Sequence, residues 1–149
     1  IDAMQQIFGL SHYAAMPKKG RIGLMAPAEA FQRTTDPDIR EFISYNLIRK
    51  GYSVFTAPDG KAGFEMAVEF RPHLIILDVL MPLMNGYETC MRLRKNPIFA
   101  DTKIIFLSAL SESYAKDLGL ELEADAFISK PIRIEQLVKR VEIWLKKAG

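Results

Sequence analysis

With one cysteine in 149 residues, Cys90, the chain can form no internal disulfide and suits a reducing compartment. Charge of one sign is equally scarce. Lys and Arg number 20 against 18 Asp and Glu, a net charge of +2, and no dense basic run occurs, so neither nucleic acid nor a membrane is an expected partner. No apolar run approaches the ~18 residues that a membrane-crossing helix needs. Residues 1–15 lack the basic start and long apolar block of a secretion signal. No repeat or low-complexity linker interrupts residues 36–149. These absences point to one cytoplasmic domain, long enough to bury a core without disulfide or metal staples.

The most informative stretch is LIILDVLMPLMNG, residues 74–86. Residues 74–77 are apolar without alternation and stop at a single acid, Asp78. A run of this kind suits a strand buried on both faces, as in a parallel sheet flanked by helices. Asp78 then stands where the strand emerges. In open α/β sheets, ligands bind just beyond the carboxyl ends of the strands. The plainer alternative is a surface aspartate capping the next helix, but Pro82 and Gly86 call for a turn first.

Along the chain, Ile1, Met4, Ile7 and Phe8 have helical spacing. Residues 1–20 are an N-terminal extension, an expression remnant or the tail of an upstream domain. RIGLMA, residues 21–26, is a candidate strand ended by Pro27, and residues 28–35 have no period. Asp36-Pro37 is a good helix start, with Asp36 as N-cap. Ile39, Phe42, Ile43 and Leu47 then make one apolar face, and Gly51 closes the helix. A strand follows at 53–57. A second helix starts at Asp59, with Phe64, Ala67 and Val68 inward, and ends before Pro72. A third covers 87–95 and stops at Asn96-Pro97. KIIFL (103–107) is a buried strand ending at Ser108. A short helix is expected at 112–118, and AFIS (126–129) is a brief strand ending at Lys130-Pro131. Ile134, Leu137, Val138, Val141 and Leu145 mark a closing helix of about 14 residues. Alternating strands and helices predict βαβ units, a parallel sheet and helices on both faces.

Three strand ends therefore carry polar residues of different chemistry: Asp78, Ser108 and Lys130. Parallel strands end on one edge, so all three are expected to converge there. A carboxylate can attack phosphorus, and an ammonium with a divalent cation can offset charge on the transferring oxygens. A hydroxyl can donate a hydrogen bond to one of those oxygens afterwards.

Residues 78–86 (DVLMPLMNG), Ser108-Ala109 and Lys130-Pro131, with separations of 30 and 52 residues from Asp78, resemble the receiver domain of two-component response regulators. Asp36-Pro37-Asp38-Ile39-Arg40-Glu41 is similar too, so the likeness begins clearly at 36 within a domain placed at 21–149. The resemblance implies a flavodoxin-like doubly wound sheet of five parallel strands in the order 2-1-3-4-5. It implies a phosphoacceptor, Asp78, that takes phosphate from a histidine kinase or phosphotransfer protein and switches an interaction surface. It implies Ser108 as switch hydroxyl, Phe127 as switch aromatic and Lys130 as phosphate-binding lysine. The Lys130-Pro131 bond matches one often cis in the family. The implied cofactor is Mg²⁺, held by Asp78 and the main-chain carbonyl of Leu80; Asp36 could lend one further carboxylate, in competition with its role as N-cap. A homodimer or an output domain is the further partner implied. Apart from its own phosphorylation and dephosphorylation at Asp78, such a domain is not an enzyme.

One departure stands out. The family usually has two adjacent acids at the end of its first strand, and they help bind Mg²⁺. Aligned directly on Asp36-Pro37, those places hold Thr34 and Thr35. With RIGLMA as the first strand they become Ala26 or Pro27, followed by an inserted stretch. Neither register supplies the pair, and threonine hydroxyls replace carboxylates poorly around so hard a cation. A degenerate receiver, a phosphorylation-independent interaction module, is therefore the alternative. An aspartyl phosphatase like the haloacid dehalogenases is a third reading, disfavoured because its second Asp would fall at Leu80. Among plainer roles, Phe127 could be packing, Met81 and Met84 fit loop packing, and His12 and His73 are expected to be structural. Trp144 lies beside the closing helix's apolar stripe and is expected to be partly exposed.

Overall fold

Runs of β-branched and large apolar residues build the sheet. Five strands form: β1 (Arg21–Met25), β2 (Ser53–Ala57), β3 (Leu74–Asp78), β4 (Lys103–Ser108) and β5 (Ala126–Ser129). The structure, a computed structural model, describes residues 20–27, 39–79, 81, 83–108 and 123–148. Every strand pairing is parallel and the order is β2-β1-β3-β4-β5, as the resemblance implied. Four α-helices lie among the described residues: α1 (Ile39–Arg49), α2 (Gly60–Phe70), α3 (Gly86–Lys95) and α4 (Ile134–Ala148), with a 3-10 turn at Pro97–Phe99. None is long and apolar enough to cross a membrane. The expected helix starts at Asp36-Pro37 and at 112–118, and the spaced apolar residues of 1–10, lie outside the described residues.

Strand alternation divides the core into two layers. Met25, Phe55, Ile75, Leu77, Ile104 and Phe106 meet Met66, Ala67 and Phe70 of α2 and Cys90 and Leu93 of α3. On the other face Ile22, Leu24, Leu74, Ile76, Ile105 and Leu107 meet Ile43 and Leu47 of α1 and Leu137, Val138 and Val141 of α4. Each fully buried Leu or Ile stabilises the fold by roughly 1.5–3 kcal/mol relative to exposure. Trp144 is half-buried against this second layer, with the Lys103 ammonium 5.7 Å from its ring centre.

Two helix faces differ from the expected ones. Phe42 and Val68 are exposed at 39% and 38%, whereas Ile43, Leu47, Met66, Ala67 and Phe70 face inward. Each residue turns the helix by about 100°, so an apolar neighbour of a core position can land on the solvent side. Helix ends follow expectation better. Asp59 caps α2, its carboxylate accepting from the Ala62 N–H at 2.8 Å, and Arg71 closes that helix in the left-handed region. Asn85 caps α3 by accepting from the Glu88 N–H at 2.9 Å. His73 is structural, its Nδ1 accepting from the Arg21 N–H at 3.0 Å.

Burial pushes the Cys90 thiol up to about 11, helped by Asp125 and Glu123 and opposed by Arg94. A raised thiol pKa means that the fold favours the neutral form. Its stabilisation is complete below the unfolded thiol's value and is lost as pH climbs through the folded one. Wild type is therefore expected to lose about 2–3 kcal/mol between roughly pH 9 and 11 relative to Cys90→Ala. Urea titrations of both proteins across that range check the difference.

Candidate functional site

In this strand order the sheet reverses its winding between β1 and β3, and the crevice beyond their carboxyl ends is where open α/β sheets bind ligands. Asp78 is the last residue of β3 and only 2% exposed. It does not cap the following helix, because Asn85 does. The backbone between them is held close. The Gly86 N–H donates to the Val79 carbonyl at 2.9 Å, and a Cβ on Gly86 would lie 2.5 Å from the Asp78 carbonyl oxygen. Glycine thus allows α3 to start directly over the strand end. Leu83, 81% exposed with φ 65°, makes the sharp turn on that path.

The distant polar residues arrive as expected. Lys130 Nζ donates to Asp78 Oδ2 at 2.7 Å across 52 residues of sequence. Ser108 ends β4 and is buried, one position beyond Leu107, the register partner of Asp78. The Ser108 carbonyl accepts from the Lys130 N–H at 2.8 Å, which fixes the β5 exit to β4. Lys130-Pro131 is cis. Phe127 is half-buried, its ring 5.2 Å from Phe106, which in turn meets Tyr87 edge-on at 5.4 Å. Met81 packs against the same core layer. Asp36 and Leu80 lie outside the described residues.

The end of β1 settles the register left open by the sequence. Strand β1 is Arg21–Met25, so Ala26 and Pro27 stand where the family's acids would be. Ala26 is fully buried, and its N–H donates to the Ala57 carbonyl at 3.1 Å. Asp78 is then the one carboxylate that the described strand ends bring to this crevice. Among the described residues no three His, Cys, Asp or Glu side chains gather closely enough to hold a metal ion. Mg²⁺ takes several oxygen ligands; of the three expected here, Asp78 is described, and Asp36 and Leu80 lie outside the described residues.

Sequence reasoning missed Arg40. Its Nη1 donates to the Ala26 carbonyl at 3.3 Å, which puts a second cation at this rim. The signal was present: Arg40, Ile43 and Leu47 are spaced three and four apart, so a charge extends the buried stripe of α1.

A model of the response regulator receiver domain family matches residues 35–142. Among curated proteins, the chain is 37% identical over 112 residues to the DNA-binding dual master transcriptional regulator RpaA of Synechocystis, covering 75% of this chain and 46% of that protein. It is 37% identical over 113 residues to the alkaline phosphatase synthesis transcriptional regulatory protein PhoP of Bacillus subtilis, covering 76% and 46%. The chain thus spans about half the length of the curated relatives it matches. Among solved structures, the Francisella response regulator 1452 receiver domain superposes with a TM-score of 0.76 at 27% identity, covering 87% of this chain and 99% of that one. Vibrio cholerae chemotaxis protein CheY4 superposes at 0.74 with 28% identity, covering 87% and 98%. Sequence and fold agree, and this chain belongs to the receiver domain family of two-component response regulators.

Proposed function

We propose that Asp78 is the phosphoacceptor of this receiver. The carrying observation is the ion pair between Lys130 Nζ and Asp78 Oδ2, formed at the sheet edge where Ser108 ends the neighbouring strand. An oxygen of the carboxylate attacks phosphorus, and the bond from phosphorus to the donor's leaving group breaks, the group departing with the electron pair. Lys130 offsets charge on the phosphoryl oxygens. Ser108 then donates its hydroxyl proton in a hydrogen bond to one of them, and Phe127 turns inward. The added charge of about −1.5 to −2 shifts an existing equilibrium at the surface around β4, β5 and α4. A histidine kinase or a phosphotransfer protein supplies the phosphate. The switched surface acts on a second copy or on an output domain, as the DNA-binding name of RpaA suggests for its kind. We place the domain at 21–149, after an extension at 1–20, and in the cytoplasm.

Incubation with acetyl phosphate and Mg²⁺, followed by intact-mass measurement, is expected to add one phosphoryl group to wild type and none to Asp78→Asn. Labelling that survives Asp78→Asn would remove this assignment.

A further inference from the structure

Helices α2 and α3 carry opposite signs of charge, level by level, on the face they turn away from the sheet. Both follow parallel strands and cover the same layer of the core, so they run parallel and side by side. Two close approaches fix their register. A Cβ on Gly60 would meet Thr89 Oγ1, and the Arg92 guanidinium carbon lies 4.8 Å from the centre of the Phe64 ring. Gly60 is therefore level with Thr89, and Phe64 with Arg92. From that register α2 presents Lys61, Glu65 and Glu69 to solvent, and α3 presents Glu88, Arg92 and Lys95. The signs oppose at each level: Lys61 beside Glu88, Glu65 beside Arg92, Glu69 beside Lys95. None of these side chains is in an ion pair among the described residues, whose salt bridges are Arg94 with Asp125 and Lys130 with Asp78. Packed helices have axes roughly 8–10 Å apart, and outward side chains diverge from one another. Val68, three residues after Glu65, and Met91, three after Glu88, add exposed apolar surface to the same stripes.

We propose that this face binds a second copy of the chain, with α2 of each copy lying along α3 of the other about a two-fold axis parallel to the helices. Rotation about that axis keeps the helix direction and therefore the level. Lys61, Glu65 and Glu69 of one copy then meet Glu88, Arg92 and Lys95 of the other, and each contact occurs twice. A two-fold axis across the helices would instead lay α2 on α2, setting Glu65 against Glu65 and Arg92 against Arg92. Like charges at the centre disfavour that arrangement, so the charge order selects the first. Val68 and Met91 are covered in it. Helices of 11 and 10 residues are about 16 Å long, so the face is small. The dimer belongs to the weak, transient class, with a Kd on the order of 100 µM. It does not depend on Asp78 being the phosphoacceptor, because the face involves neither β5 nor α4.

Sedimentation of the full chain, from about 10 µM to about 1 mM, reads the association. Wild type is expected to dimerise across that range, and raising NaCl from about 50 to about 500 mM to weaken the dimer several-fold. Glu65→Arg and Arg92→Glu are each expected to weaken it about tenfold or more, since each puts two like pairs where two opposite pairs stood. The chain carrying both reversals is expected to recover the wild-type constant to within about threefold. That recovery belongs to α2 on α3 alone, because with α2 on α2 the double reversal keeps both like-charge contacts. Both positions are exposed, and far-UV circular dichroism matching wild type checks that each variant folds. A monomer at every concentration overturns the proposal, whatever else covers the face. A salt-insensitive dimer, or one that either reversal leaves intact, overturns it too and places the contact on another surface. Loss in both single variants without recovery in the double overturns the pairing of α2 with α3.

Discussion

Arg94→Ala is expected to lower the unfolding free energy by about 3–5 kcal/mol, read as a shift in urea midpoint at unchanged slope. One guanidinium joins four segments here. Its Nε donates to the Glu123 carbonyl at 2.9 Å, and Nη1 donates to the carbonyls of Phe99 at 3.1 Å and Thr102 at 2.9 Å. Nη2 reaches Asp125 Oδ2 at 2.9 Å, and the same oxygen accepts from the Ile104 N–H at 2.7 Å. The last turn of α3, the 3-10 turn, the start of β4 and the approach to β5 are thereby fixed to one another. The pair is largely shielded, with side-chain exposures of 13% and 22%. Truncation takes the arginine partner from three carbonyls and leaves a shielded carboxylate without its cation. Arg94→Lys is expected to recover less than half of the loss, because a single ammonium cannot span acceptors on both sides of the loop. A loss below about 1 kcal/mol would mean that the network behaves as an ordinary surface pair. Since β5 carries Phe127 and leads into Lys130, the same staple positions half of the proposed phosphoryl site.

That network also shows where the sequence stopped being readable. Arg94 sits in the last turn of an amphipathic helix, where a basic residue is unremarkable on dipole grounds. Two of its acceptors, Glu123 and Asp125, lie 29 and 31 residues away, and only the fold brings them near. By contrast Asp78, Ser108 and Lys130 were legible because each interrupts an apolar run at a strand's end, and parallel strands put all such ends on one edge. The buried strands were legible for the same reason: residues 74–77 and 104–107 are apolar on both faces and admit no surface reading. Strand order came from family resemblance, since periodicity does not say which strand neighbours which. The first strand was ambiguous because direct alignment on Asp36-Pro37 placed its end at Thr34 and Thr35, whereas RIGLMA placed it at Ala26 or Pro27 with an inserted stretch to follow. Pairing of Arg21–Met25 with both β2 and β3 resolved it in favour of the register that puts Ala26 and Pro27 at the strand's end. Phe42 and Val68 misled because hydrophobicity names a residue's preference while helix phase sets its direction.

The two members of the central ion pair are expected to respond unequally to mutation. Lys130→Met is expected to destabilise the fold by about 2–4 kcal/mol, and Asp78→Asn by less than about 1 kcal/mol. The difference follows from burial: Asp78 is 2% exposed, whereas the Lys130 side chain retains 29%. Losing the lysine leaves a carboxylate beneath the surface without the ammonium that offsets its desolvation. Losing the carboxylate leaves an ammonium that can extend toward water on its own flexible stem. Asp78→Asn combined with Lys130→Met is accordingly expected to recover most of the stability lost in Lys130→Met alone, a coupling of about 2 kcal/mol in a double-mutant cycle. Equal losses from the two single variants, or a coupling near zero, would show that water screens the pair. A screened pair would also weaken the phosphoryl reading, because an ammonium already loosened by solvent offers a transferring phosphoryl group little more than bulk water does. A large, asymmetric coupling would mean that the fold holds a cation over the phosphoacceptor before any phosphate arrives, with that charge already oriented when the reaction begins.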